Sequence, residues 1–358
     1  MANRRKDRSR EEQGSEEETR PSSARFFTWN ADAGRCLSRG LRARGRSRQP
    51  NDGKTNVART RGLQSLGRLL RLHATFWRTP DGTDLRGEFL DLDGARLYYY
   101  AAGTRGDGEP IVFVHGFPTS SHLWRDVVPL VPAGHRVVVL DLLGFGRSDP
   151  PNGRAVSLAG HATRVLQMLD QLRITRATIV GHDIGGGIAQ FLAVRHPTRV
   201  ARLCLVDSVG FDDWPTRDVR VAKASLPLTR HLPATWILGV VKSDLQRGYA
   251  EAERGQHSID QYLKPFSSPD GRDVLVQHLL ALDSAETVAL APRLGDVVAP
   301  TAVVWGAHDP FLTLVLARKL QRAIPGATLE TISDVRHFAP EEAPESVAGV
   351  LGELLERE

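Results

Sequence analysis

Apolar and polar positions change rhythm several times along these 358 residues, and each change marks an element. Residues 88–92 and 96–101 flank Asp93-Gly94, the signal of a two-stranded hairpin. Beyond it, short β-rich runs recur at 111–114, 136–140, 177–180, 202–206, 301–305 and 328–332. Stretches of helical character lie between and after them, at 121–131, 158–172, 186–195, 312–323 and 344–355. Strands alternating with helices imply an α/β fold: a mostly parallel sheet of about eight strands, its first pair antiparallel, with crossover helices.

Between 207 and 292 the strand rhythm stops for some 85 residues. Helical patches at 232–241, 245–254, 259–266 and 272–282 are separated by Pro233, Pro265 and Pro269. This is too long for a bare loop, and it holds enough Leu, Ile and Val to pack on the sheet. The expected organisation is a core at 63–207 and 293–358, interrupted by a helical cap at 208–292 that roofs the sheet. One large domain with an insertion fits the length.

Charge separates off the N-terminal end. Residues 1–62 hold 16 Lys and Arg against 8 Asp and Glu, a net of +8, whereas residues 63–358 hold 31 against 34. The pI near 9.4 therefore belongs to the first segment. With few large apolar residues it cannot offset its ordering entropy, so an unstructured extension is expected. Arg4-Arg5 is not followed by an apolar stretch, and acidic clusters at Glu11-Glu12 and Glu16–Glu18 do not suit a transit peptide. Residues 63–77 show helical apolar spacing, suited to packing on the domain or lying on a membrane surface. No run approaches the roughly 18 apolar residues of a spanning helix. Two cysteines, Cys36 and Cys204, make no disulfide framework. A cytoplasmic protein is the expectation.

The candidate chemistry centres on Gly181-His182-Asp183-Ile184-Gly185, between the run 177–180 and the helical stretch 186–195. A strand, a sharp turn and a helix form the setting of a nucleophile elbow, here with aspartate in the nucleophile's place. A carboxylate is already an anion at neutral pH, with an unperturbed pKa of about 3.9. It can displace a leaving group from saturated carbon directly, which frees a histidine to activate water afterwards. The competing use of Asp183 is to cap the following helix.

Four segments occur in the expected order around this elbow. His115-Gly116-Phe117-Pro118 follows the run 111–114, and 141–149 (Asp-Leu-Leu-Gly-Phe-Gly-Arg-Ser-Asp) follows the run 136–140. Trp305-Gly306-Ala307-His308-Asp309-Pro310 and Asp334-Val335-Arg336-His337-Phe338 come later. From about Glu88 onward, some three quarters of its length, the chain resembles the α/β-hydrolase superfamily, in its aspartate-nucleophile branch. The resemblance implies Asp183 as nucleophile, His337 as general base and Asp309 as the acid that orients it, with Asp207 a rival for that last role. It also implies an oxyanion hole built from the backbone N–H groups of Phe117 and Ile184. His115 is expected to brace its loop.

Aspartate elbows point to epoxide hydrolases and to haloalkane and haloacetate dehalogenases. Haloalkane dehalogenases usually place tryptophan after the nucleophile, and haloacetate dehalogenases arginine; here it is Ile184. Epoxide hydrolases often read His-Gly-Phe-Pro at the oxyanion loop and protonate the departing alkoxide with cap tyrosines, for which Tyr249 and Tyr262 are the candidates. Epoxide hydrolysis is thus the expectation, with dehalogenation the alternative. An ester or C–C hydrolase, or a binding protein on the same scaffold, stands behind both. Gly144-Phe145-Gly146 lacks the third glycine of a dinucleotide fingerprint, and no His/Cys cluster has zinc spacing. No cofactor or metal is implied, nor is nucleic acid required. The implied partners are a small apolar organic substrate and water.

Overall fold

The computed structural model describes residues 78–79, 82–103, 108–229 and 231–357. The basic segment 1–62 and the stretch 63–77 lie outside the described residues. Eight strands form one sheet in the order β1-β2-β4-β3-β5-β6-β7-β8. They are β1 Arg86–Leu92, β2 Ala95–Ala102, β3 Gly108–Val114, β4 His135–Leu140, β5 Ala177–Asp183, β6 Val200–Ser208, β7 Thr301–Gly306 and β8 Thr328–Ile332. β1 and β2 pair antiparallel across the Asp93-Gly94 turn and join β4 antiparallel; every pairing from β4 to β8 is parallel. The central strands are apolar on both faces because both are covered: Ile111 to Val114, Val138 to Leu140 and Ala302 to Val304 are fully buried. Edge strand β8 (Thr-Leu-Glu-Thr-Ile) is largely exposed.

The crossover helices follow the sequence pattern closely. They are α1 Leu158–Gln171, α2 Ile184–Arg195, α8 Leu314–Ala323 and α10 Pro344–Leu355, with the short α9 Ala339–Glu342 before the last. Ser157 caps α1 by accepting from the Gly160 N–H at 3.3 Å. α2 is buried almost all round and packs on β5 and β6. Residues 121–131 depart from expectation, forming two 3₁₀ turns, Ser121–Trp124 and Val128–Leu130. Pro129 has no N–H to give an α-helix, and the Ser121 N–H is drawn instead to Asp141 at 2.7 Å.

The cap, between β6 and β7, consists of α3 Arg217–Thr229, α4 Ala234–Gln246, α5 Ala252–Leu263, α6 Pro269–Ala281 and α7 Ala285–Leu290. α3 carries an internal Pro227, which interrupts its helical pattern in the sequence. The expected helix at 245–254 is instead a helix end, a turn and a helix start. Gly248 sits in that turn, where a Cβ would come within 2.6 Å of the Phe338 ring. By composition Pro269–Asp296 is long and apolar enough to cross a membrane, with 28% of its window buried. It breaks after α6, however, and 13 residues rise only about 20 Å against a hydrocarbon core of about 30 Å.

Candidate active site

Strand β5 delivers Asp183 to the first turn of α2 at φ 53°, ψ −121°. For a side chain larger than glycine this left-handed geometry costs on the order of 1–3 kcal/mol, and such strain clusters at functional sites. The carboxylate makes no capping bond to α2, which removes the capping alternative. Asp183 Oδ1 instead accepts the Phe117 N–H at 2.8 Å. The approach is close: a Cβ on Gly116 would lie 2.5 Å from the Asp183 Cβ.

The loop that carries Phe117 is braced from below. The Leu142 N–H donates to His115 Nε2 at 2.9 Å, so Nδ1 carries the ring proton toward the Gly116 carbonyl at 2.8 Å. Burial holds the His115 pKa below its usual value, so the ring is a neutral strut. Asp141 holds the neighbouring loop through the Ser121 and Arg147 N–H groups, at 2.7 and 2.9 Å.

His337 lies in the loop after β8. Its Nδ1 meets Asp309 Oδ2 at 2.8 Å in a buried pair. Asp309 Oδ1 accepts the Phe311 and Leu312 N–H groups at 2.8 and 3.0 Å, which fixes the carboxylate plane. The His337 N–H donates to the Gly248 carbonyl at 2.9 Å, and the His337 carbonyl lies 2.9 Å from His182 Nε2. Burial works against a charged ring. Asp309 outweighs it, with help from Asp183 and Asp207, and pushes His337 up to about 9. Burial also raises the Asp183 pKa, opposed by His337 and by the Ile184 and Phe117 N–H groups. Asp207, the rival acid, makes no bond to His337. It accepts the Gly306 N–H at 2.8 Å, and burial, followed by the Asp309 charge, drives its pKa well above the carboxylate range.

Asp183, His337, Phe117 and Ile184 all line one cavity of about 860 Å³ beneath the cap. Tyr249 and Tyr262, expected over Asp183 as acids, do not. Both are buried to 1% exposure away from the cavity. The Tyr262 hydroxyl donates to Glu341 Oε1, Ser258 donates to Oε2 at 2.6 Å, and Arg125 pairs with the same carboxylate at 3.1 Å. Burial and then the Glu341 charge push both phenols above their usual pKa. The proton-donor assignment is therefore corrected: Tyr262 ties cap to core through Glu341, and Tyr249 stacks on Phe338 with ring centres 4.3 Å apart. Nothing local in the sequence announces this, because Glu341 lies 79 residues beyond Tyr262.

The cavity wall also contains groups that sequence reading missed. Trp214, Leu279, Leu282 and Phe311 make it apolar. Arg247 bridges Asp218 and Asp244 at 2.9 and 2.8 Å, with its guanidinium 5.7 Å from the Phe311 ring centre. The Arg-Asp spacing in the cap was the available signal. Among the described residues no cluster of three or more His, Cys, Asp or Glu side chains could hold a metal ion.

Residues 109–344 match the family model described as the alpha/beta hydrolase fold. The chain is 29% identical over 281 residues to the 2-hydroxy-6-oxononadienedioate/2-hydroxy-6-oxononatrienedioate hydrolase of Klebsiella pneumoniae, covering 75% of this chain and 94% of that one. The enol-lactonase of Burkholderia xenovorans LB400 is 25% identical with a TM-score of 0.65, covering 75% and 100%. The haloalkane dehalogenase DatA of Agrobacterium tumefaciens C58, 24% identical with a TM-score of 0.65 over 77% and 98%, shares the fold. With the sheet order, the inserted cap and the match across most of the core in agreement, this chain belongs to the α/β-hydrolase fold family.

Proposed function

We propose that the protein is a hydrolase that forms an ester on Asp183 by displacing a leaving group from saturated carbon of a neutral, apolar substrate. The observation that carries this is the Asp183 carboxylate, held by one oxygen on the Phe117 N–H in a cavity that also contains His337. Oδ2 attacks carbon, the bond to the leaving group breaks, and Oδ1 becomes the ester carbonyl while still on the same donor. Desolvation makes the carboxylate a stronger nucleophile, and a protonated His337 keeps it ionised at neutral pH.

Ester formation removes the Asp183 charge, one of the supports of the imidazolium, so the His337 pKa falls and the ring gives up its proton to solvent as the leaving group departs. The neutral ring takes a proton from water, which adds to the Asp183 carbonyl carbon. The charge then growing on Oδ1 is met by the Phe117 and Ile184 N–H groups. Collapse releases the alcohol and restores the carboxylate.

Halide as leaving group fits this cavity better than an epoxide oxygen. Halide departs without a proton, an alkoxide requires a donor, and neither cap tyrosine reaches the cavity. Diol formation would turn attention to Asp244, a lining carboxyl whose pKa burial raises although Arg247 opposes the rise. Attack of Asp183 on an ester carbonyl is disfavoured, because it would expel an alkoxide to form a more reactive anhydride.

The test is a panel of halogenated alkanes, haloacids and epoxides assayed for halide and diol, run beside His337→Gln. That variant should release one equivalent of halide and carry the alkyl group by intact mass. An unmodified His337→Gln protein that has consumed one equivalent of substrate would overturn the covalent route.

A further inference from the structure

The cavity wall continues onto the outer surface of the cap. Trp236 and Val240, one turn apart on α4, line the cavity and yet are 67% and 63% exposed. On α3, which lines the cavity through Val219 and Ala222, Val221 and Leu228 lie two turns apart on one face, 60% and 85% exposed. Leu232 in the connection and Leu280 on α6 add further exposed apolar surface. Single exposed apolar residues need no explanation, but a set bordering an apolar cavity does.

Charge identifies what covers it. Residues 217–246, from the start of α3 to the end of α4, carry five cations (Arg217, Arg220, Lys223, Arg230 and Lys242) and two acids, Asp218 and Asp244. Both acids are already taken by Arg247, Lys242 is paired with Asp260, and Lys223 donates to the Leu282 carbonyl. Arg217 and Arg220 are exposed beside the apolar stripe. The N-terminal 62 residues add a net of +8. A second copy of this chain would set the same cations face to face. An anionic lipid surface meets both features, since basic helices with Leu and Trp on the other face lie in the headgroup boundary.

We infer that the α3–α4 face of the cap docks on anionic lipid, and that apolar molecules pass from the bilayer along Trp236 and Val240 into the cavity. The docking holds whichever bond the site breaks.

The full chain is sedimented with vesicles of phosphatidylcholine containing phosphatidylglycerol, and with vesicles of phosphatidylcholine alone. Binding should require the anionic lipid and weaken as salt is raised. Val221→Glu with Leu228→Glu, both outside the cavity lining, should weaken binding at least about tenfold while the melting midpoint is unchanged. Leu228→Asn alone gives the same reading, in smaller measure, should the double variant misfold. Undiminished binding of the variants would assign lipid contact to the N-terminal segment and overturn the proposal. So would wild-type protein that ignores vesicles, including one that runs as a dimer split by the double variant.

Discussion

Asp309→Asn separates the two chemical steps of the proposed cycle. Asp309 Oδ1 is pinned by the Phe311 and Leu312 N–H groups at 2.8 and 3.0 Å. Asparagine keeps its carbonyl oxygen on those donors, which forces its NH₂ toward His337 Nδ1, where the carboxylate oxygen had been at 2.8 Å. Nδ1 must then accept, the ring proton moves to Nε2, and the nitrogen that should take a proton from water is blocked. The charge is lost as well. Raising the ring from 6.5 to about 9 corresponds to about 3 kcal/mol of support for the imidazolium, and Asp309 is its largest favourable source. Loss of charge alone would therefore slow hydrolysis by about 10², and the wrong tautomer extends this to about 10⁴, or about 5.5 kcal/mol. Alkylation needs the Asp183 carboxylate, which loses the help of the imidazolium but keeps that of the Phe117 and Ile184 N–H groups, and should fall less than hydrolysis, by about tenfold. Quenched-flow sampling read by intact mass gives both rates, as growth and decay of the adduct. Hydrolysis by Asp309→Asn within about tenfold of wild type would refute the orienting role. Below about pH 9, where the imidazolium loses that support, the melting midpoint should fall; above it the midpoint should change little, because both backbone bonds survive.

Two further outcomes follow from the titrating groups. Burial raises the Asp207 pKa, and Asp207→Asn is close to isosteric. Asn also tolerates the φ of 40° there, and turnover should stay within about threefold; a hundredfold loss would make Asp207 the working acid. Burial depresses His115, His161 and His182, and takes His122 and His278 to about 3. A depressed histidine contributes stability that is whole above its unfolded pKa of about 6.5 and is lost as pH falls toward the folded value, at up to about 1.4 kcal/mol per pH unit each. Asp207, raised well above its usual range, opposes this, with lesser rises at Asp183, Asp126, Asp244 and Glu342 acting the same way. His337, raised to about 9, loses its own contribution only as pH climbs from 6.5 toward 9. The melting midpoint should thus drop clearly between pH 6.5 and 5; an equal or higher midpoint at pH 5 would contradict it.

What could be read from the sequence was what short segments encode. The strands, the Asp93-Gly94 turn and the loops carrying Asp183, Asp309 and His337 each rest on contiguous residues, and the structure places those three side chains together. What failed depended on distant partners. Tyr249 and Tyr262 carry the right chemistry on the right insertion, but which way they face is settled by Glu341, on the far side of the cap insertion. The choice between Asp207 and Asp309 was likewise open in sequence, because both follow strands of the parallel sheet. In the structure Asp309 meets His337 Nδ1, while Asp207 accepts the Gly306 N–H. α3 went unread because Pro227 interrupts its helical pattern.

The Glu341 cluster divides the cap in a way that bears on how such a protein changes. Arg125 from the core, Ser258 and Tyr262 from α5, and the Ala250 N–H on Glu342 at 2.7 Å bind one side of the cap to the segment just past His337. Substitution there would disturb the histidine's own loop. The end of α4 also meets the histidine loop, where Arg336 and the His337 N–H donate to the Arg247 and Gly248 carbonyls, but α3 and the lip residues Trp236 and Val240 make no such hydrogen bond among the described residues. New substrate preferences can therefore be acquired one lip residue at a time, with the machinery that breaks the bond left as it was.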